Sequence, residues 1–531
     1  MPREFIHRAL PFLIALLLLT GCQPPQVQQA NITVSVTADG STHQVSLPAG
    51  STVQDALKAQ GLTLSQTDRS SPPAYTVLSS GAAIVVTRVR EDFETQQVII
   101  PFDHQELRNE SLPAGETRLV QAGQNGLKET TIRHVYEDGV ETSSSVVSET
   151  ILQAAVPEIV MIGVQSPFAP VSIPGKLAYL TGGNAWLIQD STSSRHPLVT
   201  TGDLDGHILS LSPDGKWLLF TRKSTLPATQ QINTLWVVST SGQTPVPIDL
   251  HVANVVHFAD WQPGKEYSIA YSTVEPRATA PGWQANNDLF LLAFDGFRPG
   301  ATFKVMDASS GGIYGWWGTT FAWSPDGQHL AYSRPDGIGE VDLKTGAMNS
   351  ILDITPLNTH SDWAWTPGLS WGADSQAIYL VTHAPPSGLV SPEESPLFNL
   401  TGLSLASGAN VDLVQQTGMF AYPSVSPLLG SGSTTSYLVA YLQAIFPAES
   451  ENSRYRLMLM DQDGANPKVL FPAEGLTGLD PQTPIWAPAA LPQGGNFIAV
   501  TYQGNLWLID AVSGQAQQVT GDGLTSQISW R

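Results

Sequence analysis

The sequence predicts a mainly β chain: a seven-bladed β-propeller over residues 175–531, its ends joined in one blade, preceded by two smaller β-rich units. Three observations carry this reading. A short pattern rich in tryptophan and proline recurs through the C-terminal two thirds. The last copy of that pattern lacks partners, whereas the first lacks an inner strand. All fourteen tryptophans lie at or after Trp186, so the N-terminal third must build its core from other residues.

The recurring pattern is an apolar residue, a small or polar residue and often proline. It appears at Leu211-Ser212-Pro213, Trp261-Gln262-Pro263, Trp323-Ser324-Pro325, Trp371-Gly372-Ala373, Val425-Ser426-Pro427 and Trp486-Ala487-Pro488. Two copies continue as Ser-Pro-Asp-Gly, ending at Gly215 and Gly327, a composition that makes a tight turn. A second strand is expected after each copy, at 217–220, 268–271, 330–332, 378–381, 438–441 and 497–500. A third follows at 235–238, 289–295, 338–342, 400–405, 457–461 and 506–510. The chain stops at Ile528-Ser529-Trp530-Arg531, an inner strand without partners, and the region opens with strands at 177–180, 185–190 and 197–200 that lack one. Joining the two completes a seventh blade and removes an exposed sheet edge. Copy spacings of roughly 45–60 residues suit four-stranded blades with loop insertions. Six or eight blades are the neighbouring counts, because the fourth and fifth copies are degenerate. The pattern resembles TolB-like and WD-like propeller repeats.

At the N-terminus, Arg3 and Arg8 precede an apolar run over 9–19, too short to span a bilayer as a helix of about 20 residues. It reads as a secretion signal over 1–22. Leu19-Thr20-Gly21-Cys22 resembles the lipobox of bacterial lipoproteins, which implies lipidation of Cys22, a membrane anchor and an exported chain. Cys22 is the single cysteine, so intramolecular disulfides and thiolate metal cages are excluded. Residues 23–31 have the composition of a flexible tether.

Residues 32–90 read as a small α+β unit. Ile32, Val34 and Val36 alternate, Asp39-Gly40 offers a hairpin turn, and Val45 and Leu47 continue on a second strand. Thr52-Val53-Gln54-Asp55 is a capping-box pattern starting a short helix with Val53, Ala56 and Leu57 on one face, and Gly61 is placed to end it. Ile84, Val86 and Val89 suggest a closing strand. The order resembles the ubiquitin-like β-grasp repeat found beside five-glycine domains in bacterial cell-wall proteins, including resuscitation-promoting factors.

Residues 91–165 run through Leu112-Pro113-Ala114-Gly115, Gln121-Ala122-Gly123, Gly126, Tyr136-Glu137-Asp138-Gly139 and Glu158 to Gly163. This segment resembles the five-glycine (G-five) domain, with Gly115, Gly123, Gly126, Gly139 and Gly163 in the five named positions. Glycines there are expected to supply positive φ at turns between exposed strands. The resemblance implies binding of cell-wall glycan containing N-acetylglucosamine; a spacer that binds nothing is the other reading. A stretch over 166–174 with several prolines is the expected linker.

Function is sought on one rim. Most tryptophans fall on the repeat, where blade packing explains them. Trp283, Trp316, Trp317, Trp363 and Trp365 are left over, in connections that emerge on one face of four-stranded antiparallel blades, with Tyr314 beside them. Aromatic faces beside polar groups suit a sugar ring or an apolar peptide side chain. Packing of the long loops against the blades is the alternative.

Several chemistries find no support. The net charge is −21, with no concentrated basic stripe, which opposes nucleic-acid binding. The eleven histidines show no metal-ligand spacing, and no phosphate or dinucleotide fingerprint is present, so no cofactor or metal is expected. Gly368-Leu369-Ser370-Trp371-Gly372 matches a nucleophile elbow, but it overlaps an inner strand and no strand–helix domain follows. The expectation is therefore a non-enzymatic envelope protein, its five-glycine domain on glycan and its propeller on a protein or sugar. The alternatives are a glycosidase or lyase using loop carboxylates such as Glu275, Glu393, Glu394, Glu449 and Glu451, and a structural spacer. Two carboxylates lining one pocket would favour the enzyme.

Overall fold

The computed structural model describes residues 30–109, 112, 115–164, 168–242, 245–386, 390–430, 435–490 and 495–531. The secretion signal, Cys22 and nearly all of the tether lie outside the described residues, as do residues 166 and 167 of the expected linker, whose last three residues belong to the strand Ser172–Thr181 instead. The chain divides into two compact units, one comprising residues 1–105 and 119–160, the other 106–118 and 161–531.

In the first unit, strand β1 (Asn31–Ala38) forms a hairpin with β2 (Ser41–Pro48). Asp39 and Gly40 both take positive φ at the turn, the geometry that matches strand twist in a two-residue hairpin. Helix α1 (Val53–Ala59) begins in the expected capping box: Asp55 N donates to Thr52 Oγ1, and Thr52 N donates to Asp55 Oδ2 at 2.8 Å. Val53, Ala56 and Leu57 face Val34, Val36, Ile84 and Val86 in a closed core. The strand Ala83–Thr87 lies parallel to β1, which is the closing strand of the sequence reading.

Behind it stands a single-layer sheet of three long strands, Val89–Ile100, Gly126–Glu137 and Val140–Gln153. The outer strand 140–153 is exposed along its whole length, so backbone pairing rather than a core holds this layer. Arg88 joins the two parts. Its guanidinium donates to Asp39 and Asp68, and its backbone N donates to Asp138 Oδ1 at 2.8 Å.

The five glycines divide by role. Gly115 and Gly139 do take positive φ at turns. Gly123 and Gly126 do not, which corrects the expectation for them: they are sites of close approach. A Cβ on Gly123 would lie 2.3 Å from the Phe102 ring, and one on Gly126 would lie 2.5 Å from the carbonyl oxygen of Gln153. Gly163 ends a strand (Glu158–Gly163) and accepts from Gly115 N at 2.9 Å while donating to Glu116 O.

The rest of the second unit, among the described residues, holds six consecutive four-stranded antiparallel sheets, within 204–253, 259–306, 320–353, 369–414, 424–471 and 485–518, and one composite sheet. The composite sheet pairs the last strand, Thr525–Trp530, with Ser172–Thr181, so that Trp530 lies opposite Leu177 and Ile528 opposite Tyr179. It has three strands where four were expected, because 184–199 runs as one continuous strand instead of two. Apolar cores lie between consecutive sheets: Leu219 and Val237 against Trp261 and Ile269, Leu289 against Leu330, Ile338 against Ile378, Leu400 against Val439, and Leu457 against Ile498. The matched nucleophile elbow is part of this pattern. Its Ser370 sits on the short inner strand Leu369–Trp371, which turns back into an antiparallel strand.

Candidate binding groove

Three loops of the second unit gather around one groove of about 630 Å³, and a fourth borders it. Two of them enter inner strands, over 307–319 and 354–368; the third, described over 384–386 and 390–397, lies between the second and third strands of the sheet within 369–414. Tyr314, Trp317 and Trp363 supply aromatic faces, and Asn358, Thr359 and His360 supply polar groups. The fourth loop, over 445–454, carries Glu449 and Glu451 on an adjoining depression of about 450 Å³ that shares His360 and Glu394 with the groove.

The loops are fixed by hydrogen bonds, which is why irregular backbone can hold a defined shape. The Trp317 indole donates to the carbonyl oxygen of Asp362 at 3.3 Å, tying one loop to the next. Thr359 Oγ1 donates to Trp363 O at 2.6 Å, and Asn358 N donates to Glu393 O at 2.9 Å. The buried His383 ring reaches Thr355 O and Ser395 O and stacks on Phe398, joining the bases of two groove loops. Glu394 pairs with His360 Nε2 at 2.8 Å and accepts from Asn358 Nδ2 at 2.8 Å. The bond from His360, and then that from Asn358, hold the Glu394 carboxyl below its ordinary pKa.

The structure brings together only part of the predicted rim. Trp365 is a correction: it is 1% exposed, its indole donates to Met419 O at 2.9 Å, and it packs edge-on against Phe398. It belongs to the core: residues 363–368 form no regular strand, so Trp365 turns in against Phe398 while Trp363, two positions earlier and on the same face had the segment been a strand, lines the groove. Trp283 and Trp316 sit apart, over the sheet within 259–306. Trp283 lies on a small added hairpin, edge-on to His257 at 4.4 Å, and Trp316 O accepts from Ala285 N. Burial, and secondarily His207, push the His257 ring down to about pKa 4, so it is neutral there. Glu275 is on the same hairpin, paired with Arg277 at 2.7 Å.

Phe420 and Tyr422 were missed in the sequence. They stack at 5.9 Å and line a depression of about 460 Å³ that shares Trp363 with the groove. A signal exists in the sequence: they precede Ser424-Val425 as Trp363 precedes Leu369, at the entry to an inner strand, whereas the expected rim rests on five tryptophans and Tyr314.

Residues 91–165 match the G5 domain and residues 34–74 match the G5-linked ubiquitin-like domain. Resuscitation-promoting factor Rpf2 of Corynebacterium glutamicum is 31% identical over 155 residues, 29% of this chain and 41% of the relative. The chain thus spans about two fifths of the length of that curated relative. Among solved structures, the IgA1 protease G5 domain is 28% identical, covering 15% of this chain and 94% of that one, with a TM-score of 0.12. The putative TolB from Agrobacterium tumefaciens is 16% identical, covering 62% and 98%, with a TM-score of 0.35. Among the described residues, no helix is long and apolar enough to cross a membrane. The chain therefore carries a G5-linked ubiquitin-like domain and a G5 domain ahead of a repeated four-stranded β module.

Proposed function

We propose that this chain is an exported, lipid-anchored protein of the bacterial cell envelope that binds without catalysing a reaction. The G5 domain attaches it to wall glycan containing N-acetylglucosamine, and the aromatic groove holds a protein or sugar partner. The seven sheets of the second unit are the blades of one ring, whose rigid inner strands hold the groove loops in place. Cys22 carries the lipid, and the tether after it sets the folded part off the membrane.

One observation carries the groove reading: Tyr314, Trp317 and Trp363, from two separate loops, line one concave surface with Asn358, Thr359 and His360 beside them. Flat apolar faces next to hydrogen-bonding groups suit the two sides of a sugar ring. The similarity of the N-terminal part to a resuscitation-promoting factor supports a place at the wall.

A specific observation also favours the enzymatic alternative, since Glu393 and Glu394 share the groove lining. Their arrangement supports binding more strongly. They are adjacent on one 3-10 turn rather than facing each other across a bond to be cut. A general acid needs a raised pKa, whereas Glu394 is held below its ordinary value by His360.

Titration of the purified chain with wall glycans, with released sugars monitored, tests this. Binding that is weakened by Trp363→Ala, with no product, supports the reading. Product release would replace it with the enzymatic one. The absence of any binding would leave a structural spacer.

A further inference from the structure

Resting on the groove reading above, we propose that the groove selects ligands bearing primary ammonium groups over neutral ones. The groove itself, with its aromatic wall and hydrogen-bonded loops, is the site; its charges decide among ligands. Tyr314, Trp317 and Trp363 line it, and among the described residues no lysine or arginine lines it or the adjoining depression. The one basic group there, His360, is taken up by Glu394 at 2.8 Å.

The carboxylates differ in occupancy. Glu394 is engaged by His360 and Asn358. Glu393, Glu449 and Glu451 are exposed, and their side chains have no hydrogen-bond or ion-pair partner among the described residues. Glu393 is held in place through its backbone, whose carbonyl oxygen accepts from Asn358 N, so its carboxylate stays at the groove without being consumed by the fold. The loop around Glu449 and Glu451 is held likewise: Ser450 Oγ accepts from Met419 N at 3.1 Å, and Ser450 O accepts from Tyr455 Oη at 2.7 Å.

An ammonium group on an alkyl or ring scaffold satisfies both sets of groups. Its charge meets free carboxylates, and its carbon scaffold lies on aromatic faces, which themselves attract cations. A neutral amide in the same place would leave the carboxylates hydrated and gain only the apolar contact. Because these carboxylates are solvated, the preference is a matter of degree, about three- to tenfold. The net charge of −21 adds a long-range attraction of the same sign.

The ammonium could be presented by an amino sugar or by a peptide, and the test separates the two. The purified chain is titrated calorimetrically with glucosamine oligomers and N-acetylglucosamine oligomers of equal length, and with oligolysine and its fully acetylated form. Only the binding lost in Trp363→Ala is counted, which sets aside any other glycan site. The expected result is that the free-amine form of at least one scaffold binds three- to tenfold tighter than its acetylated partner. High salt and the triple variant Glu393→Gln, Glu449→Gln, Glu451→Gln should both remove that preference. Equal binding of free-amine and acetylated forms would overturn the proposal while leaving the groove reading intact. A preference that survives the triple variant would overturn it too. If no form of either scaffold binds at the groove, the groove reading fails and the proposal with it.

Discussion

The indole N–H of Trp371 donates to the carbonyl oxygen of Ala322 at 2.9 Å, joining the inner strands of two consecutive sheets. Ala322 is the residue just before the repeat motif of its own sheet, and the relationship recurs. Trp261 donates to Ser210 O at 3.1 Å, and Trp486 donates to Ser424 O at 3.0 Å. In these three sheets the motif tryptophan therefore reports more than core volume: it ties its strand to the equivalent position one sheet earlier.

Trp323 occupies the same motif position, but its indole N–H has no partner among the described residues. Trp371→Phe is accordingly expected to lower stability by about 1 kcal/mol more than Trp323→Phe, the net worth of one hydrogen bond. Denaturant midpoints of the two variants check this. Equal losses would mean that the bond contributes nothing.

Trp363 and Trp365 should separate binding from stability. Trp365→Ala removes a fully buried ring and is expected to cost about 3–5 kcal/mol, seen as a large fall in Tm. Trp363→Ala, which removes a ring only half-buried against the same core, should lower Tm by clearly less and weaken ligand binding.

Asp68 gives a pH signature in the first unit. Partial burial raises its pKa, but hydrogen bonds from the backbone N–H groups of Ser65 and Val89, and from Arg88, outweigh this and hold it at about 2. A carboxyl lowered in the folded state adds stability that is complete well above its ordinary value of 3.8 and is lost as pH falls toward 2. Asp68→Asn should therefore destabilise the unit at pH 7 by about 1.5–3 kcal/mol, typical of hydrogen bonds to a charged group. The gap from the parent should narrow between about pH 4 and pH 2 in thermal melts followed by circular dichroism.

Gly126→Ala places a methyl 2.5 Å from both Gln153 O and Ala155 N. Both contacts are backbone, so relief requires the strands to part, at about 1–3 kcal/mol. Hydrogen exchange along 126–137 and 140–153 should speed up. Gly123→Ala meets a phenylalanine ring instead and should cost less, because Phe102 can rotate.

Deleting residues 525–531 strips one of the two partners from Ser172–Thr181 and leaves that edge unpaired. An unpaired strand edge promotes pairing between molecules. Light scattering should show aggregation of the truncated chain under conditions where the parent stays dispersed.

Much of the fold was legible because its signals are local. The capping box at Thr52 and Asp55, the Asp39-Gly40 turn and the alternation in Ile32, Val34 and Val36 each follow from neighbouring residues. The repeat motif was legible because each copy solves the same packing problem. Even the pairing of the two ends could be foreseen, from an inner strand lacking partners at one end and partners lacking an inner strand at the other.

The site was less legible. Sequence placed six aromatic residues on one rim, but Trp363 and Trp365 differ by two positions and go to opposite environments, one lining a groove and the other filling a core. Nothing local separates them; the space between two packed sheets does. Likewise, five glycines read as turn-formers, yet at Gly123 and Gly126 it is an approaching ring or strand, distant in sequence, that leaves no room for a side chain. The sequence by itself determined the β class, the module order and the repeat, because backbone preference and hydrophobic alternation are properties of neighbours. Which aromatics meet, which carboxylates stay free and which loops form a groove were decided only by the tertiary structure, because those depend on distances between residues that the chain brings together only once it has folded.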